Sequence, residues 1–173
     1  MSHADTDRTL AQSGESLKPY VAQPHDHQHL GWIGNMDLTV LLDGQASGGR
    51  LTIIEVHAQR GDASPVHVHS NEDETFVVLE GGMTVWVGDQ RHHIHAGGIG
   101  FLPRNLPHSY RYTADRTRAL NICTPSGLEN FFRAAGWDLS RPKPDGWAPS
   151  QQTLAESSAR HGARIIGPPR TED

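Results

Sequence analysis

Short apolar segments separated by turn-forming residues dominate the middle of this chain. Between Gly61 and Thr124, runs of β-branched and aromatic residues alternate with glycine, proline, aspartate and asparagine. Strands are typically short and bounded by such residues, whereas helices need longer periodic segments. Many short strands at this spacing predict an all-β sandwich or barrel rather than alternating β/α units. The expected strands cover residues 36–42, 51–56, 75–79, 84–87, 92–95, 101–103, 108–112 and 118–123.

The two ends of the chain differ from this middle part. Residues 1–18 are polar and aperiodic, which predicts a flexible arm. After Pro125, apolar residues at helical spacing predict a helix over Leu128–Ala135, and Ser150 is a suitable N-cap for a second helix that ends near His161. We therefore expect a β-barrel over residues 19–125, with residues 126–173 forming a helical extension and a tail that pack on it.

Composition and charge limit the classes of partner. The 173 residues carry a formal charge of −5, and the lysine and arginine residues are scattered, which does not favour nucleic-acid binding. No apolar run approaches the roughly 20 residues that a membrane-spanning helix needs. The single cysteine, Cys123, rules out a disulfide within the chain and fits a reducing compartment. The N-terminus lacks the apolar segment of a secretory signal, so we expect a cytoplasmic protein.

Histidines with strand spacing give the strongest indication of chemistry. His67 and His69 are two residues apart, so on an extended strand both imidazoles point to the same side. The polar residues that follow them predict a turn, which would bring Glu74 back on the adjacent strand. Glu72 is the alternative carboxylate. Alternation favours Glu74, because Glu74 would share the inward face with Phe76 and Val78.

A further histidine on a later strand could complete this set. His108 follows Leu106-Pro107 and would supply a third imidazole. Three imidazoles and one carboxylate suit one divalent transition-metal ion (Fe, Mn, Ni, Co, Cu or Zn) rather than Mg or Ca, which prefer oxygen ligands. The sequence thus predicts a metal centre of His67, His69, Glu74 and His108.

The spacing of these residues resembles that of a known family. Gly61-x5-His67-x-His69-x4-Glu74-x6-Gly81 is similar to the first motif of the cupins at every position. Residues 61–81 thus resemble the first motif of the family, and residues 97–108 resemble the second. The resemblance implies a double-stranded β-helix, or jelly-roll barrel, in which these four side chains are the metal ligands.

The second motif departs from the family pattern at one turn. Gly97-x5-Pro103-x-Asn105-x2-His108 has Asn105 where the family usually has glycine. Both residue types tolerate positive φ, so we expect the turn to be kept. Tyr112 stands where the family often has asparagine, a change that affects the pocket wall rather than the ligands.

Features outside the motifs look like those of bacterial cupins related to quercetin 2,3-dioxygenase. They include Pro19-Tyr20, Gly48-Gly49, the 124–132 segment and Gly167-Pro168-Pro169. The resemblance implies a dioxygenase that acts with O2 on a small phenolic or enolic molecule, with Glu74 as the general base. It also implies a homodimer. The substrate pocket is expected to be apolar, with walls from Phe76, Val78, Phe101, Tyr110 and Tyr112.

Two other functions fit the same residues. The metal ion could serve as a Lewis acid in a redox-neutral cyclase, isomerase or hydrolase, or the chain could bind a small molecule without turnover. The histidines at 25, 27, 29, 93 and 95 also have strand spacing but lack a carboxylate at a comparable position, so we expect them to be solvated. His57 could line the cavity or face water. Tyr112 could pack in the core or bind substrate through its hydroxyl.

Overall fold

Two antiparallel sheets make up most of the structure, a computed structural model that describes residues 17–172. Nearly all of the expected N-terminal arm, residues 1–16, lies outside the described residues. Within them, no helix has the length and apolar character needed to cross a membrane. The strands are β1 Gln28–Gly31, β2 Asp37–Leu42, β3 Thr52–Ala58, β4 Val66–His69, β5 Asp73–Glu80, β6 Gly82–Val87, β7 Gln90–His95, β8 Ile99–Leu102, β9 His108–Tyr112, β10 Thr117–Thr124, β11 Trp137–Asp138 and β12 Ala163–Gly167, and the helices are α1 Gly44–Ser47, α2 Leu128–Ala135 and α3 Gln151–Arg160.

The order of the strands confirms the predicted all-β architecture. One sheet has seven strands in the order β11-β1-β2-β3-β10-β5-β8, and the other has five in the order β12-β4-β9-β6-β7. Consecutive strands β4 and β5 lie in different sheets, as do β8 and β9, so the chain winds between two layers. One buried cluster with side chains from both sheets fills the space between them. This is the double-stranded β-helix that the sequence motifs imply.

The strand faces follow the predicted alternation. Ile54 and Val56 on β3 are buried, whereas Glu55 and His57 lie on the outer face. On β5, Glu74, Phe76 and Val78 are almost completely buried and share the inward face. Since side chains alternate with a period of two along a strand, this register directs Glu74 to the interior of the barrel.

Four elements differ from the sequence-based expectation, and one of them is the two-residue strand β11, Trp137–Asp138. The polar segment around His29 contains strand β1, and the presumed C-terminal tail contains strand β12. The turn expected at Asp43-Gly44 continues into helix α1, which Asp43 caps by accepting a hydrogen bond from the Ala46 amide. Strands β1 and β12 are stabilised by pairing with β2 and β4. Tertiary pairing can override weak local preference, which explains why the sequence alone did not reveal them.

The two predicted C-terminal helices are confirmed, and α2 is anchored to the barrel through a buried carboxylate. Glu129 accepts hydrogen bonds from the Gly44 amide (2.9 Å), the Gly127 amide (2.9 Å) and the Thr52 hydroxyl. The apolar side of α2 packs Phe131 and Phe132 edge-on against Trp32. These contacts hold α2 against one end of the barrel. The division of the chain at residues 125 and 126 stays a prediction.

Candidate metal centre

The four predicted ligand residues come together from three strands. His67 and His69 lie on β4, Glu74 lies on β5, and His108 begins β9, where it pairs directly with His67. One nitrogen or oxygen from each side chain lies within 4.8 Å of the corresponding atoms of the others. Glu74 Oε2 lies 3.1 Å from His108 Nε2. The turn after β4 therefore returns the carboxylate to the imidazoles, as the spacing predicted.

Each of the three histidines has an oxygen atom close to its Nδ1. His67 Nδ1 donates to the Pro65 carbonyl (2.8 Å), and His108 Nδ1 donates to the Leu106 carbonyl (3.0 Å). A carbonyl oxygen only accepts, so the proton of each neutral ring is on Nδ1 and Nε2 keeps its lone pair. His69 Nδ1 lies 3.1 Å from Glu72 Oε1, but the two atoms do not form a hydrogen bond of good geometry. The rings of His67 and His108 are thus oriented to offer Nε2 as a metal ligand.

Buried polar atoms at the centre fit a bound cation. His69 Nε2, His108 Nε2 and Glu74 Oε2 are buried without a hydrogen-bond partner in the described part of the chain. Leaving such atoms unpaired in a protein interior is costly, whereas coordination would satisfy all of them. Three neutral imidazoles and one carboxylate match the preference of divalent transition metals. This cluster could therefore hold such an ion.

Electrostatics keep two of the donors, Glu74 and His67, in the forms that bind metal. Burial alone raises the pKa of Glu74, but the contact with His108 and the charges of the neighbouring histidines outweigh it and lower the pKa to about 2. Burial, followed by repulsion from His108, lowers the pKa of His67 to about 4. At neutral pH, Glu74 is therefore ionised and His67 is neutral.

Glu72, the alternative carboxylate, has a different position. It lies in the loop between β4 and β5, is 1% exposed, and contacts the Nδ1 side of His69 rather than joining the four donors. Burial alone lowers the pKa of His69, but the contacts with Glu72 and the charge of Glu74 raise it overall. Glu72 thus contacts a predicted ligand residue on the side that faces away from the metal centre. The sequence spacing did not suggest this position.

Asn121 is a second supporting residue that sequence reasoning missed. Its Nδ2 donates to Glu74 Oε1 at 2.7 Å, and its Oδ1 accepts from Cys123 Sγ at 3.2 Å. Asn121 and Cys123 are both buried on the inward face of β10. The available signal was the polar side chain at an inward position of β10, between Ala119 and Cys123. This contact leaves Oε2 of Glu74 as the oxygen that faces the histidines.

A cavity of about 100 Å³ adjoins the donors. His67, His69, Glu74 and Tyr110 contribute to its wall. The rest of the wall is mostly apolar and comes largely from segments that the sequence analysis did not assign to a pocket. Those residues are Trp32, Ile33, Ala63, Ser64, Pro65, Leu128, Phe131, Phe132, Leu154, Ser158, Ala163 and Ile165.

Of the five predicted pocket residues, Tyr110 lines this cavity. Phe76 and Tyr112 pack against the Tyr110 ring within the core, at centroid distances of 4.9 and 5.6 Å, and Val78 is also fully buried in the core. The expectation for Phe101 needs correction. Its side chain is 61% exposed, because its neighbour Leu102 occupies the inward face of β8 and alternation turns Phe101 outward.

The other histidines lie away from the centre. His57 contacts Glu55 at 2.9 Å on the outer face of β3, and His93 on β7 contacts the Thr84 hydroxyl at 2.9 Å. In the described chain, His67, His69, Glu74 and His108 form the only group of three or more potential ligands that lie close together. The clusters around His27 and His95 do not add a second such group.

Known proteins resemble this chain in the region of the candidate site. Residues 54–123 match the cupin domain family, and they include all four donors. A quercetin 2,3-dioxygenase of Bacillus subtilis is 28% identical over 127 residues, which cover 73% of this chain and 37% of that protein. A quercetin 2,3-dioxygenase of Aspergillus japonicus is 23% identical over 169 residues, which cover 93% of this chain and 48% of that protein. The chain thus spans less than half the length of each of these two relatives.

A solved structure supports the fold independently of sequence. The structure of KdgF from Halomonas sp. superposes with a TM-score of 0.56 at 15% identity and covers 62% of this chain and 94% of that one. At this identity the likeness concerns the fold alone. It agrees with the two-sheet barrel described above.

Proposed function

We propose that this chain, a cupin that resembles the quercetin 2,3-dioxygenases, is a metal-dependent dioxygenase that acts on a small phenolic or enolic molecule. The observation that carries the proposal is the cluster of His67, His69, Glu74 and His108, of which the first three line an apolar cavity. When bound by these residues, a divalent transition-metal ion supplies Lewis acidity and the capacity for electron exchange with O2.

Glu74 is the group that would receive the substrate proton. Its Oε1 is occupied by Asn121, so Oε2 is the oxygen available on the histidine side. The lowered pKa of about 2 keeps the carboxylate ionised but makes it a weak base. Proton transfer to such a weak base becomes less unfavourable as the acidity of the substrate hydroxyl group increases. This argues for an enol or an activated phenol rather than an aliphatic alcohol.

The cavity wall would select and orient the substrate. Trp32, Phe131 and Leu154 provide apolar surface that excludes water, and Tyr110 provides a hydroxyl group that can hydrogen-bond to a substrate oxygen. Burial raises the pKa of Tyr110, so its hydroxyl remains a proton donor. The volume of about 100 Å³ is small compared with the roughly 300–1,000 Å³ of most small-molecule pockets. A compact substrate fits this wall better than a three-ring flavonol.

The test combines metal analysis with oxygen consumption. Protein purified without a histidine tag is expected to contain about one transition-metal ion per chain. An oxygen electrode with one-ring enols, one-ring phenols and a flavonol should show consumption with at least one compound, and Glu74→Gln should abolish it. Tyr110→Phe, which keeps the ring, should weaken binding without removing the metal.

The same assay separates the proposal from its alternatives. Equal turnover with and without O2 would contradict a dioxygenase and support the redox-neutral use of the metal as a Lewis acid. Metal binding without turnover of any compound in the panel would support a binding module. Absence of stoichiometric metal would contradict the metal centre itself.

We further propose that the protein acts as a homodimer in the cytoplasm. Support for the dimer comes from β8, which is an edge strand among residues 17–172 and in which Ile99 and Phe101 are 67% and 61% exposed. Exposed apolar edge strands tend to pair, and an antiparallel pair with a second copy closes by twofold symmetry. Sedimentation analysis should show a dimer that Phe101→Lys weakens. A monomer in the unchanged protein would contradict this.

A further inference from the structure

The imidazoles of the candidate metal centre differ in the group that lies next to Nδ1. His67 and His108 donate to backbone carbonyl groups, which are neutral and belong to residues two positions earlier. His69 faces the side chain of Glu72 instead, with 3.1 Å between Nδ1 and Oε1. A carboxylate is a charged acceptor and interacts more strongly with an imidazole N–H than a carbonyl does. One of the three nitrogen ligands is thus distinguished from the others by its partner.

The burial of Glu72 indicates that this contact is part of the site. Its side chain is 2% exposed and that of His69 is 3% exposed. A carboxylate buried this deeply is costly unless a positive charge or a hydrogen-bond donor compensates it. Among the described residues its Oε1 atom has no hydrogen-bond partner of good geometry, and His69 Nδ1 lies 3.1 Å from it. The position is therefore matched to an imidazole that carries a proton on Nδ1 or a positive charge.

The net charge of the site provides a second argument for a role of Glu72. A divalent cation bound by neutral imidazoles and Glu74 alone would leave a net charge of +1 in a buried site. The carboxylate of Glu72, one imidazole away, brings the sum to zero. Isolated charge is unfavourable at low dielectric, so a second carboxylate favours a divalent ion there.

We propose that Glu72 is a positioning residue that holds His69 with Nε2 directed at the metal and that balances the charge of a divalent ion. This inference rests on the metal centre of the proposed function and not on the reaction. Glu72 does not touch substrate and is not a catalytic residue in this assignment. It acts through His69, so its removal should change the affinity and the electronic properties of the bound ion.

Binding of Co²⁺ provides a test that needs no substrate. In competition with a chromophoric chelator, Glu72→Gln is expected to weaken Co²⁺ binding about 10-fold, because the amide oxygen can still accept from Nδ1 but the charge is lost. Glu72→Ala should weaken it further, to about 100-fold, since the ring then loses both partner and charge. The visible spectrum of bound Co²⁺ should shift in both variants, which a merely structural role would not produce.

The chain offers a matched control in Glu55→Gln. Glu55 also contacts a histidine through its carboxylate, at 2.9 Å from His57 Nε2, but on the outer face of the barrel. Its replacement should leave Co²⁺ affinity and spectrum unchanged. Thermal unfolding of each metal-free variant shows whether the protein is folded, and Glu72→Gln, which keeps the size of the side chain, serves if Glu72→Ala does not fold.

The outcomes distinguish this inference from the proposed function. Folded Glu72 variants that bind Co²⁺ with unchanged affinity and spectrum would overturn it. Weakened binding with a shifted spectrum would support it even if no compound consumes oxygen. A wild-type protein that binds neither Co²⁺ nor Zn²⁺ would overturn both the metal centre and the role of Glu72.

Discussion

At the scale of single residues, neighbouring hydrogen-bond partners orient the donors of the candidate centre. Pro65 and Leu106 hold two imidazoles through their carbonyl oxygens, and Asn121 occupies one oxygen of Glu74. Each partner restricts rotation of a donor before any ion arrives. A site whose ligands are already oriented loses less conformational entropy on binding, which raises affinity.

Asn121→Leu tests this arrangement on the carboxylate side. The change keeps approximate size but removes the donor to Glu74, so a buried charged oxygen loses its hydrogen bond at a cost of about 1–3 kcal/mol. We expect lower stability of the metal-free protein in urea and weaker Co²⁺ binding. The same substitution at the exposed Asn130 should change stability by less than about 0.5 kcal/mol. Unchanged Co²⁺ affinity in Asn121→Leu would contradict the orienting role.

The lowered pKa of His67 predicts how the metal-free protein responds to acid. Its pKa is about 4 in the folded state, below the ordinary value of 6.5, so the unfolded chain binds this proton first as pH falls. Stability is therefore fully present above pH 6.5 and declines toward pH 4. The raised pKa of His69 has the opposite effect on stability, because its contribution is lost as the pH rises above the ordinary pKa of histidine. Urea midpoints from pH 4 to 7 should rise with pH, and His67→Asn should flatten that slope. An equal slope in both proteins would contradict the prediction.

At the scale of elements, short loops place the donors on neighbouring strands. The loop before β9 contains Asn105, which adopts the left-handed conformation with φ of 63° and donates its amide to the His69 carbonyl at 2.7 Å. The turn that the sequence led us to expect is therefore present. Arg104 adds a bidentate contact with Asp73 at the start of β5. This loop thus links the strands that carry His69, Glu74 and His108.

Substitutions at Asn105 should separate backbone conformation from side-chain chemistry. Asn105→Gly keeps access to positive φ and is expected to change stability by less than about 1 kcal/mol. Asn105→Val disfavours this conformation and should cost about 2 kcal/mol, with weaker metal binding because His108 follows three residues later. Denaturation in urea and Co²⁺ titration measure the two effects. Equal stability of the two variants would mean that the left-handed conformation is not required.

At the scale of the whole molecule, the C-terminal segment completes the barrel and the cavity. Strand β12 covers the edge of β4, with Ala163 opposite His69 and Ile165 opposite His67. Beyond it, Glu172 contacts the Thr84 hydroxyl at 2.6 Å on β6. The strand that carries two donors is thereby enclosed between β12 and β9. This enclosure depends on residues nearly 100 positions away in sequence.

Two truncations should show which part of this segment matters. Ending the chain after Gly162 removes β12, so amide exchange in β4 should become at least about tenfold faster, equivalent to about 1.4 kcal/mol. Ending it after Gly167 keeps β12 and removes only the contacts of the last residues. That variant should retain its Co²⁺ affinity and the protection of the β4 amides other than that of Val66, which donates to the Pro168 carbonyl. Similar exchange in β4 for both truncations would contradict a role for β12.

The local sequence pattern alone was enough to predict several elements of the fold and part of the candidate site. The alternation at Glu74, Phe76 and Val78, the spacing of His67 and His69, and the helix at Leu128–Ala135 were all readable, because each depends on the period of a single element. Tertiary structure decided the rest. That Asn121 supports Glu74 and that Trp32, Phe131 and Ile165 line the cavity depend on segments far apart in sequence. Phe101 was misplaced for the same reason, because only the pairing of β8 with β5 set which of its faces met the core.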